Sequence, residues 1–64
     1  MNQSMAIKQA AKASKTQRPQ FVVWVPDQGR EIFNREQMNI WGKLVFVEAA
    51  FVSGVQVSAE VATA

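Results

Sequence analysis

The chain contains no cysteine, no histidine and no tyrosine. Without cysteine there is no disulfide and no thiolate metal site to hold a chain of 64 residues together. Without histidine the commonest general base and metal ligand is missing, and without tyrosine so is a phenolic acid. Glycine is scarce as well. Gly29, Gly42 and Gly54 stand too far apart for either nucleotide-binding fingerprint. Long apolar runs are also lacking: the longest covers residues 44–52 and is interrupted by Glu48. A bilayer-spanning helix needs roughly 20 apolar residues, so no membrane span is expected. Residues 1–5 lack a basic start and no apolar core follows them, so no secretory signal is read and a cytoplasmic location is expected.

What is present favours a folded chain. Apolar residues make up 48% and charged residues 19%, too hydrophobic for disorder throughout. The length allows one small domain. A domain of this size buries only about 60% of its unfolded surface, which leaves its stability marginal. The net charge of +2 is unevenly spread. Residues 1–20 carry Lys8, Lys12, Lys15 and Arg18 with no acid, whereas residues 21–64 set Arg30, Arg35 and Lys43 against five carboxylates. A local basic segment points to an anionic partner more strongly than the same charge dispersed.

This imbalance and the proline at position 19 divide the chain into a basic N-terminal arm, residues 1–19, flexible or partly helical, and a small α+β domain, residues 20–64. If the arm is helical, Ser4 caps it, and Lys8, Lys12 and Lys15 form one basic stripe. Residues 21–25 are dense in strand formers, and Pro26, Asp27, Gln28 and Gly29 make a turn. A four-residue loop sets Val23 opposite Ile32 and Trp24 opposite Glu31, so that Phe33 shares a face with Val22 and Trp24. A helix then starts at Asn34, with Gln37 completing a capping box and Gly42 ending the helix. Residues 43–52 fit either a strand or a longer central helix. As a strand, they pair with residues 55–61 through a two-residue Ser53-Gly54 turn. The expected architecture is therefore hairpin, short helix, hairpin (ββαββ) after a mobile basic arm, with ββαβ and a longer central helix as the alternative.

Candidates for chemistry are few. Asp27 is explained by the turn, Glu36 by the first helical turn, and Glu31 and Glu60 by solvent-facing strand positions. Glu48 is the odd carboxylate. It reads as an acid of raised pKa, as a partner for an arginine, or, with most weight, as an edge charge opposing strand aggregation. No catalytic residue, cofactor site or metal site is singled out, and an enzyme is not expected. Binding remains. The aromatic load marks Trp24, Trp41, Val45, Val47 and Phe51 as a protein-contact set, with Trp41 as the exposed anchor. Lys8, Lys12, Lys15, Arg18, Arg30 and Arg35 are the candidates for touching nucleic acid or an acidic partner. The expected function is a small non-catalytic protein-binding module, an adaptor or inhibitor docking on a larger protein. The alternative is a basic nucleic-acid-binding homodimer.

Overall fold

A computed structural model of the chain describes residues 2–17 and 19–63. Helix α1 (Gln3–Gln17) leads into strands β1 (Gln20–Val25) and β2 (Gly29–Asn34), helix α2 (Arg35–Trp41) and a 3-10 turn (Gly42–Leu44). Strands β3 (Phe46–Val52) and β4 (Val55–Val57) and helix α3 (Ala59–Thr63) complete it. The four strands form one antiparallel sheet in the order β2-β1-β3-β4. The α+β class is as expected. The order β1, β2, α2, β3, β4 runs through the middle of the chain, but it differs in detail from ββαββ after a mobile arm, since a helix is packed at each end; the longer central helix gives way to β3.

The expected mobile arm is a docked helix. Alanine, lysine and glutamine favour the helix, and Asn2 rather than Ser4 caps it, its Oδ1 accepting from the Met5 amide at 2.8 Å. Ala6, Ala10 and Ser14 fall on one stripe and are fully buried. Small side chains there let the helix axis come close to the sheet, where Ala6 and Ala10 pack with Val22, Ala49 and Phe51. Ser14 fastens the end of the helix. Its carbonyl accepts from the Ser53 amide at 3.1 Å, and its hydroxyl accepts from the Gly54 amide at 2.8 Å. The same hydroxyl donates to the Ala11 carbonyl, so this buried polar group is satisfied.

The first hairpin departs from the expected register by one residue. Val25 pairs with Gly29, leaving a three-residue loop, so Val22 faces Ile32 and Trp24 faces Arg30. The Gln28 amide bonds the Val25 carbonyl at 3.0 Å, with Asp27 at φ 70° and Gly29 at φ 93°. Proline at the second turn position and positive φ at the third define a type II turn, and Gly29 then returns the chain to the strand. A shift of one residue exchanges faces, so Ile32 lies under α1 and Phe33 on the other side.

A second shift comes from β3. Its pairing with β1 steps from Val22↔Ala49 to Val23↔Val47, which makes Glu48 the extra residue of a β-bulge. The bulge moves Phe46 to the α1 side and Val47 to the other. The turn at Ser53 and Gly54 has two residues as expected, both at positive φ (53° and 83°), the type I′ geometry of tight hairpins. Residues 59–61, expected to continue the last strand, instead belong to α3. Ser58 caps it, accepting from the Val61 amide at 3.2 Å.

The opposite face of the sheet builds a second core from Phe21, Val23, Ala50 and Ala62, with Met38, Val45 and Phe33 against it. α2 begins at Asn34 with both capping-box bonds at 2.9 Å. It ends at Trp41, and Gly42 keeps a helical φ of −57° as the chain continues into the 3-10 turn. Among the described residues no helix is long and apolar enough to cross a membrane.

Candidate functional site

The two faces of the sheet carry two different surfaces, and together they divide the residues expected to form one contact set. On the α1 side, α1 covers the sheet only as far as Val22 and Ala49. Beyond it lies a row across three strands: Arg30 of β2, Trp24 of β1 and Phe46 of β3, each the register partner of the next. Trp24 is 43% exposed and Phe46 67%. The Arg30 guanidinium lies 5.5 Å from the Trp24 ring centroid, a cation–π contact.

The bulge aims Glu48 across β1 at the same arginine. Arg30 donates from Nε and Nη2 to the two carboxylate oxygens, the latter at 3.0 Å. This two-pronged bond, helped by simple charge attraction and opposed by desolvation, holds the Glu48 carboxyl below the usual carboxylate range. The same bond raises Arg30 above its ordinary value. Glu48 is therefore not an acid of raised pKa; β4 pairs only with residues 50–52, so Glu48 does lie on an open stretch of β3, but its charge is directed across β1 to Arg30. It is the arginine partner, and it locks Arg30 in place beside Trp24.

α1 adds charge to this side. Lys8, Lys12 and Lys15 are exposed on the helix surface opposite the buried Ala6, Ala10 and Ser14. None makes an ion pair among the described residues. The aliphatic stem of Lys15 lies over Gly54, where an added Cβ would sit 2.9 Å from Lys15 Cε. Arg35 is on the other side of the sheet, where its Nη2 donates to the Ala62 carbonyl at 3.2 Å. Arg18 lies outside the described residues.

The second surface surrounds Trp41. Val25, Pro26 and Gln28 from the first turn, and Trp41, Leu44 and Val45 from the 3-10 corner, line an open groove of about 530 Å³. Trp41 is 50% exposed, Leu44 65% and Ile40 69%. Val47 is exposed on this side of the sheet, whereas Val45 is half-buried against the core. Phe51, expected on the contact face, is instead 3% exposed beneath α1. The bulge explains this, because it places Phe51 and Val47 on opposite faces.

Sequence reasoning missed Phe46, Ile40 and Leu44. A signal for Ile40 was present: α2 places Met38, Ile40 and Trp41 within four positions, more apolar residues than one helical face can bury. Comparison with protein-family models, with curated proteins and with solved structures gives no match to this chain.

Proposed function

We propose that this chain is a small, non-catalytic protein-binding module, an adaptor or inhibitor that docks on a larger protein through the α1 side of its sheet. The observation that carries the proposal is the exposed pair of Trp24 and Phe46 on the sheet face that also bears the lysine-lined helix. Tryptophan and phenylalanine side by side, fixed on strands, supply contact area at little cost in conformational entropy. Lys8, Lys12 and Lys15 add a field that steers an acidic partner surface toward that pair.

The lysines and Trp24 also suit nucleic acid, which favours stacking rings beside cations. Glu48 weighs against it. Its carboxylate is held ionised within the aromatic row and would repel backbone phosphates, and the arginine beside it is already committed. A protein surface, with charges of both signs, accommodates such a pair more readily than a polyanion does.

The test is affinity capture from a lysate of the source cell with the tagged full chain, with and without nuclease. A protein partner is expected to be retained in stoichiometric amount after nuclease, and lost with Trp24→Ala and Phe46→Ala. Recovery of nucleic acid, or of proteins released by nuclease, would sink the proposal.

A further inference from the structure

The groove around Trp41 lies on the other face of the sheet from the proposed docking pair, and its chemistry is self-complementary. We propose that it is the interface of a homodimer, in which a second copy of this chain docks about a two-fold axis running along the groove. The six lining residues carry no charge. One bank is the first turn, with Val25, Pro26 and Gln28, and the other is the 3-10 corner, with Trp41, Leu44 and Val45.

Each bank also carries one exposed charge. Asp27 sits in the turn between Pro26 and Gln28, and Lys43 sits in the 3-10 segment beside Leu44. Neither makes an ion pair or side-chain hydrogen bond among the described residues. An axis along the groove sets the turn bank of each copy against the 3-10 bank of the other. Trp41 then meets the second copy's Pro26, ring against ring, while Lys43 meets the second copy's Asp27. Both contacts occur twice, as an isologous interface requires. An acidic or a basic partner would satisfy one rim charge and strand the other, whereas a second copy satisfies both.

The size of the molecule argues for the same occupant. Ile40, Trp41 and Leu44 are all at least half exposed, while the largest fully buried apolar side chains are only Phe21, Val22 and Val23. A domain with so small a core gains more from covering its own apolar surface than a larger one does. The dimer also leaves the α1 side, with Trp24, Phe46 and the lysines, facing outward on both copies.

Sedimentation equilibrium of the purified full chain, across micromolar to millimolar concentrations, reads the association directly. The mass is expected to rise from 7.1 kDa to twice that value and stop there. Trp41→Ala is expected to weaken the dimer roughly a hundredfold or more, because the anchor is lost twice. Asp27→Lys or Lys43→Asp alone should weaken it about tenfold, and the two together should restore it to within about threefold of wild type. Circular dichroism checks that each variant is folded. Should Trp41→Ala not fold, the exposed charge exchange still decides. A monomer at every concentration would overturn the proposal. So would masses beyond the dimer, association indifferent to Trp41→Ala, or a double exchange that fails to restore association. The docking reading stands apart, since it is read on Trp24 and Phe46 with a partner present.

Discussion

Glu48 shows how one inserted residue sets local electrostatics. Its folded pKa lies below the unfolded one, so the Arg30 bond contributes stability that is fully present above the ordinary glutamate value of about 4.3. That contribution is lost as pH falls through the lowered folded value. An NMR titration should show the Glu48 carboxyl below that ordinary value in the wild type and moving up toward it in Arg30→Gln. An unmoved titration would mean that the bond does not govern this carboxylate. Asn34 is the contrasting case. Its cap and the reciprocal Gln37 bond were legible because both partners lie within four residues. Asn34→Ala is expected to lower stability by about 1 kcal/mol in urea denaturation. The partner of Glu48 lies 18 residues away on a non-adjacent strand, and nothing local in the sequence names it.

Element types were easier to read than their registers. Strand composition and turn residues identified the first hairpin, and Ser53-Gly54 identified the second turn. Faces were misassigned because the first loop has three residues instead of four and because β3 carries a bulge; each shift exchanges the faces of the residues beyond it. α3 was missed although Ser58 followed by Glu60 is a helix-start pattern, since the valines around it read as strand. α1 was legible as a helix but not as part of the core. Alanine and serine on its inner face make a weak amphipathic signal, yet they are what permits close approach to the sheet. Ala10→Leu should therefore destabilise the fold by about 1–3 kcal/mol despite raising hydrophobicity, through overpacking at a fully buried position. Thermal unfolding measures it; an unchanged or higher midpoint would contradict the close-packed interface.

For the molecule as a whole, α1 forms part of the core of the fold. A mobile arm would be dispensable to folding, whereas this helix covers Val22, Ala49 and Phe51. Removing residues 1–18 is expected to lower the thermal midpoint sharply and to leave a sheet that binds apolar dyes on its uncovered face. A truncated chain that melts like the full-length one would show that the sheet needs no cover on that face. The separation of the two surfaces also belongs to this scale: the aromatic row and lysines face one way and the Trp41 groove the other. Composition alone had merged them, because the count of exposed aromatics carries no information about which side of a sheet each occupies.

The latch at Ser14 has a consequence in time. The Gly54 amide that it holds lies 40 residues further along the chain. During synthesis α1 leaves the ribosome before the strands it packs on, and it has no seat until the second hairpin has turned. Closing so long a loop is entropically costly, and an alanine interface returns little before the sheet is complete. A helix made before its sheet is thus the last to settle, and by the same reasoning the first to lift. Native-state hydrogen exchange should find the α1 amides opening in a unit of lower free energy than those of β1, the central strand. Equal protection of the two would place the helix in the same cooperative unit as the sheet.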